Sequence, residues 1–174
     1  TQTVNGSTVT SIVNTNLNQT ISVTAVAERV GTDSDGDGTP DLTINPSHVY
    51  STAGAEDTWF ALNQGSFDLK AGWNNQDTDG SEQTFALLTP VLATESANGS
   101  QFRYTVGGVT TTLTYNGTAL QIPLSALDTV EFLAPANVSG KFEIQVQALT
   151  IDTDPNGGAP VQAISGSATL TNLI

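Results

Sequence analysis

The sequence has no cysteine, no methionine and only four Lys plus Arg. It also has no apolar run near the roughly 18 residues that a membrane span needs. Without cysteine there are no disulfides, no thiolate nucleophile and no Cys-ligated zinc, while the redox compartment stays open. The few cations face 17 Asp plus Glu, for a net charge of -13. A surface of that sign repels phosphate backbones and anionic headgroups, and four scattered basic residues cannot assemble a patch, so no nucleic-acid partner and no membrane insertion are expected. With no initiator Met and no basic-then-apolar leader, the 174 residues are expected to be a piece cut from a longer chain, and at this length a single domain is the default.

Charged residues make up 12% and aromatics 6%, while Thr, Asn, Ser and Gly are abundant, a mixture that favours strands and turns over long helices. The clearest period-two run sends Phe142, Ile144, Val146 and Ala148 to one side and Lys141, Glu143, Gln145 and Gln147 to the other. Similar alternation marks Ile21, Val23 and Ala25; Phe102, Tyr104 and Val106; Val109, Thr111, Leu113 and Tyr115; Leu120, Ile122 and Leu124; and Ala168 and Leu170. Gly107-Gly108 and Asn116-Gly117 suit hairpin turns with positive φ. Ser125 to Leu127, after Pro123, suits one helical turn, and no window sustains a longer helical pattern. The expectation is an all-β fold, a meander of antiparallel hairpins packed as a β-sandwich, with a closed barrel as the alternative.

The acidity is clustered. Asp33, Asp35, Asp37 and Asp41 occupy positions 1, 3, 5 and 9 of a calcium loop, Thr39 stands at position 7, and Gly38 supplies the sharp turn at position 6. Position 12, which in a calcium hand carries a bidentate Glu, is Ile44, and Pro40 and Pro46 forbid a regular exiting helix. A second group joins Glu56 and Asp57 to Asp77, Asp79 and Glu82, which meet if the stretch between them forms a strand and return, with Glu28 entering from the preceding strand. The competing reading is ordinary surface charge and an Asp-x-Asp-Gly turn. A third pair, Asp152 and Asp154, ends the cleanest strand, where a polar hairpin loop is the simpler reading. Three or four Ca²⁺ ions would bring about +6 to +8 and offset roughly half of the net charge.

In order, Ala27-Glu28, Glu56-Asp57-Thr58, Asp77-Thr78-Asp79-Gly80-Ser81-Glu82 and Pro135-Ala136-Asn137-Val138-Ser139-Gly140-Lys141-Phe142 resemble the β-sandwich modules of giant RTX-type bacterial adhesins, over roughly residues 21 to 174. The resemblance implies an Ig-like or cadherin-like sandwich with calcium-binding loops, held at the bacterial cell surface and stiffened by several Ca²⁺ ions. It also implies a part in cell adhesion and biofilm, with adjacent modules of the same polypeptide and a peptide or glycan on a host or neighbouring cell as partners. On this reading residues 1–174 form one module: 1–20 are its first strand or a link to a preceding module, and 28–41 are a calcium loop inserted before the main sandwich at 47–174. The Asp33 to Asp41 loop, which looks like a thrombospondin type 3 calcium repeat, departs from the usual extender unit.

Catalysis is not expected. His48 has no nucleophile turn or partner in its surroundings, and the carboxylates sit in polar, Gly-rich loops where ionised oxygens suit calcium better than proton donation. Trp59, Trp73, Asn74 and Asn75 flank the second acidic group, and an aromatic and amide rim around a calcium would grip a sugar or a peptide carboxylate. The simpler reading of both tryptophans is core packing. The sequence thus points to a calcium-dependent adhesion module that recognises a ligand, with a purely structural calcium-rigidified spacer as the alternative.

Overall fold

The computed structural model describes residues 2–4, 7–9, 25–33, 36–76, 80–93, 95–154 and 157–173. These form an all-β protein with thirteen strands and one short 3₁₀ helix. The strands are β1 (Gln2–Val4), β2 (Ser7–Val9), β3 (Leu42–Thr43), β4 (His48–Val49), β5 (Phe60–Ala61), β6 (Asn74–Asn75), β7 (Glu82–Leu92), β8 (Gln101–Val106), β9 (Val109–Thr114), β10 (Leu120–Pro123), β11 (Glu131–Leu133), β12 (Lys141–Asp152) and β13 (Val161–Leu173). The 3₁₀ helix, Leu124–Thr129, follows Pro123 and buries Ala126 and Leu127. Among the described residues β1 and β2 pair only with each other.

Two sheets carry the fold, one in the order β10-β7-β12-β13-β4 and one in the order β5-β11-β8-β9. Every pairing in them is antiparallel except β13 with β4. The two sheets share one apolar core, because the alternation in β12 turns Phe142, Ile144, Val146 and Ala148 to the same side as expected. Phe132 of the second sheet stacks on Phe142 of the first at 4.7 Å between ring centres, and Phe60 meets Phe142 edge-on at 5.9 Å. Phe102, Phe132 and Phe142 are all fully buried, so this aromatic cluster supplies much of the apolar area removed from water.

The turn chemistry holds in one place and not in the other. Gly107 and Gly108, both at positive φ, close the β8-β9 hairpin. Asn116-Gly117 closes no hairpin: β9 pairs with β8 and β10 with β7, so this turn carries the chain from one sheet to the other. Ile21 and Val23 lie outside the described residues, and Ala25 sits in an extended segment with no strand partner assigned.

Register places the polar end of the larger sheet. β12 pairs with β7 without interruption from Phe142↔Leu92 to Asp152↔Glu82. On its other side β12 meets β13 through a bulge between Val146 and Ala148. Gly166 lies at this irregularity with φ +70, and a Cβ there would come within 2.8 Å of Ile44 Cδ1 and 2.9 Å of Val30 Cγ2. The bulge therefore lets Val30 and Ile44 seat closely against β13, which fixes the segments on either side of the Asp33 to Asp41 loop.

Candidate functional site

Along β12 the inward positions change character after Ala148: Thr150 and Asp152 continue the same alternation but are polar. Both are buried, Asp152 to 6% exposure. The neighbouring inward positions of β7 are Thr84 and Glu82. Residues 25–30 cross this polar patch in an extended conformation, with Ala25 and Ala27 buried and Val26 exposed. In place of a backbone ladder, alternate amides of this segment use side chains of the sheet. Val26 N donates to Asp152 Oδ2 at 2.6 Å, Glu28 N to Glu82 Oε2 at 2.9 Å and Val30 N to Ser165 Oγ at 2.8 Å. Thr150 Oγ1 donates in return to the Glu28 carbonyl at 2.6 Å.

Glu82 is held on its second oxygen as well: Asn75 Nδ2 donates to Glu82 Oε1 at 2.7 Å, and the same nitrogen lies 2.6 Å from Thr84 Oγ1. Asp152 differs. Its Oδ1 is buried and has no hydrogen-bond partner among the described residues. Glu82 and Asp152 are direct cross-strand partners, and opposed side chains of one face have their Cβ atoms about 5 Å apart. Like charges so placed repel, and a buried carboxylate oxygen without a donor costs free energy. A hard cation bound by oxygen would relieve both, so the donor chemistry fits Ca²⁺. Among the described residues no three Asp, Glu or His side chains gather closely enough to hold a metal unaided. Asp77 and Asp79, which the sequence places just before Glu82, lie outside the described residues, as does Asp35.

The expected groups are rearranged. Glu82 of the second acidic group lies opposite Asp152 of the third and accepts from the Glu28 backbone, while Ser81 O accepts from Thr153 N at 3.1 Å. Glu56 and Asp57 do not join them. Asp57, at positive φ, accepts from Asn137 N at 3.1 Å, and Gly54 N donates to Leu173 O, which places this turn at the Lys141 end of β12. Eleven residue steps separate Lys141 from Asp152, about 36 Å at the usual rise of a strand. The uninterrupted β7-β12 pairing keeps the two ends apart. What Asp57 does join is the Pro135 to Phe142 corner.

In the first loop, Asp33 accepts from the backbone of Gly36 at 2.7 Å, Asp37 at 3.2 Å and Gly38 at 2.9 Å, and Asp37 accepts from Thr39 N at 2.7 Å. Gly36 and Gly38 both have positive φ. Asp41 ties the loop down through its own backbone: Asp41 N donates to Thr32 O and Asp41 O accepts from Gln76 N. The loop thus curls around the Asp33 carboxylate and is exposed from Gly36 to Thr39. Asp154 caps the β12-β13 connection by accepting, at its backbone carbonyl, from Gly157 N.

The aromatic and amide rim takes a different form. Trp73 is buried in the core at 8% exposure, and Asn75 is spent on Glu82 and Thr84. Asn74 is exposed, and Trp59 is half-buried beneath the Arg103 guanidinium, 4.3 Å from the ring centre. Arg103 also donates to Glu131, an ion pair that raises the already high pKa of the guanidinium. His48 is half-buried and stacked on Phe67 at 4.0 Å. It lines a polar cleft of about 240 Å³ with Tyr50, Gln64 and Ser66. Thr150, Ser165 and the amides of residues 26 and 28 were not legible as site groups; the only sequence signal was a polar residue at an inward position of β12.

No family model, no curated protein and no solved structure matches the chain. No helix among the described residues is long and apolar enough to cross a membrane.

Proposed function

We propose that this chain is a calcium-dependent, non-catalytic β-sandwich module, Ig-like or cadherin-like, of a large secreted bacterial surface adhesin, and that its bound calcium stiffens it for cell adhesion. The observation that carries the calcium reading is Asp152. Its Oδ1 is buried without a hydrogen-bond donor among the described residues, and it sits opposite Glu82 under a segment whose amides already serve both carboxylates. A cation at that oxygen links β12, β7 and residues 25–30, three parts of the chain far apart in sequence, and preferential binding to the folded state converts directly into stability.

The use made of Trp73 and Asn75 favours a rigidifying role for this end of the molecule over direct ligand capture. Recognition of a peptide or glycan is the second reading, supported by exposed Asn74 and half-buried Trp59. Thermal melting in excess chelator and then across a calcium titration tests the proposal. A saturable rise of tens of degrees, reduced in part by Asp35→Ala and by Asp79→Ala, is the expected result, and melting that ignores calcium would overturn it.

A further inference from the structure

The segment that crosses the polar end of the larger sheet is unevenly held. Among the described residues, no backbone group of residues 25–28 pairs with another backbone group. Their hydrogen bonds run to side chains instead: Val26 N donates to Asp152, Glu28 N donates to Glu82, and Glu28 O accepts from Thr150. Of these four residues only Ala25 and Ala27 are buried, so the segment gives the interior little more than two methyl groups, while Val26 is 55% exposed. A stretch with so little apolar burial and no ladder opens at a lower free energy than the strands beneath it.

The residues that follow are fixed far better. Thr32 N donates to Arg29 O at 3.1 Å and Gly31 N to Leu42 O at 3.0 Å, with Gly31 at φ +80. Val30 forms a parallel bridge with Leu42 and seats against Gly166. The turn at 29–32 therefore stays with the sheet when residues 25–28 leave it. Asp152 lies between two strands and under this segment. Its neighbours Glu82 of β7 and Val161 of β13 are fixed in register by long ladders, and its Oδ1 is buried, so an ion reaches that oxygen only if something moves. Of these surroundings, residues 25–28 are the part without a ladder.

We infer that residues 25–28 are a strap, hinged on the 29–32 turn, that opens while the two sheets stay folded, and that a cation enters and leaves the Asp152 site through this opening and holds it shut while bound. The inference rests on the calcium reading of Asp152. Opening then precedes both binding and release. A contact that closes the strap without being a metal ligand therefore sets both rates, and it leaves the affinity nearly unchanged as long as the closed form dominates. Thr150 is such a contact, since its hydroxyl is spent on the Glu28 carbonyl.

Hydrogen exchange of single amides in the whole chain, followed by NMR in chelator and in calcium at low urea concentrations, is the first test. In chelator, Val26 and Glu28 should exchange faster than Ile144 and Val146 of β12 and with little dependence on urea, because opening a short strap exposes little surface. Free calcium at about 100 times the dissociation constant should slow Val26 and Glu28 about a hundredfold. Thr150→Val is the second test. Calcium release, read by stopped-flow mixing with a fluorescent chelator as the phase that Asp152→Asn removes, should quicken about tenfold, the worth of about one hydrogen bond. The dissociation constant from calorimetry should stay nearly constant, and Thr150→Ser, which keeps the donor, should restore the parent rate. Four amides that exchange together with one urea dependence would overturn the strap and leave the calcium reading standing. So would calcium that raises melting without slowing Val26 and Glu28, or a Thr150→Val that weakens affinity as much as it speeds release. Melting and exchange that both ignore calcium would overturn the strap and the calcium reading together.

Discussion

Replacing Asp152 by Asn separates a carboxylate kept for a cation from one kept for the fold, because the two roles predict different signs. In chelator, parent and variant both keep an oxygen for Val26 N, which lies 2.6 Å from Asp152 Oδ2. The variant loses the charge opposite Glu82. If the charges stand as close as the Cβ atoms of opposed residues, about 5 Å, an effective dielectric constant near 20 sets that repulsion at about 3 kcal/mol as an upper bound. Against it stands about 1 kcal/mol, the difference between a hydrogen bond to a charged and to a neutral acceptor. The net expectation is a variant more stable than the parent by about 1–2 kcal/mol, or roughly 3–6 °C for a chain of this length.

If the proposed site binds calcium, the order of the two proteins reverses in calcium. At a free concentration about 100 times the dissociation constant, binding to the folded parent contributes about 2.7 kcal/mol at this site, or roughly 5–10 °C. If loss of the Asp152 oxygen weakens binding about a hundredfold, the same calcium gives the variant only about 0.4 kcal/mol. Differential scanning calorimetry of both proteins, in chelator and in calcium, reads all four melting temperatures. Equal calcium increments in parent and variant would refute Asp152 as a ligand. A variant less stable than the parent in chelator would refute the claimed repulsion and leave Asp152 as a structural acceptor for Val26.

Gly166→Ala should cost about 2–4 kcal/mol, combining a positive φ of 70° with a Cβ driven against Ile44 and Val30, and urea unfolding would show it as a lower midpoint at unchanged slope. Tyr50→Phe should cost about 1–2 kcal/mol, because the buried hydroxyl donates to Leu62 O at 2.6 Å and the carbonyl would be left unpaired. Burial also pushes the Tyr50 hydroxyl well above its ordinary pKa of about 10, so its contribution is fully present below that pH and is lost as pH rises further; the parent should show an alkaline loss of stability that Tyr50→Phe reduces.

What could be read in advance follows from how many faces of a strand are covered. β12 was legible because its outward residues Lys141, Glu143, Gln145 and Gln147 meet water or the rim while Phe142 to Ala148 meet the core. β7, its long partner, gave no such signal: Phe85, Ala86, Leu87 and Leu88 are consecutive and apolar, and Leu87 is buried although it faces away from Ala86 and Leu88. A strand covered on both sides loses its alternation, and with it the register that tells where Glu82 lies. The error over Asp57 has the same root. Local spacing brought Glu56-Asp57 close to Asp77-Glu82, but an uninterrupted pair of long strands makes position along β12 decide which acids can meet. By that rule Glu82 belongs with Asp152 and Asp57 with Asn137, and the two readings of the acidic residues divide along the sheet. At one end a carboxylate orders a corner by accepting a backbone amide. At the other, two carboxylates stand opposite each other with one Asp152 oxygen unpartnered among the described residues, and on the proposed calcium reading that oxygen, more than the number of acidic residues, is what a cation would satisfy.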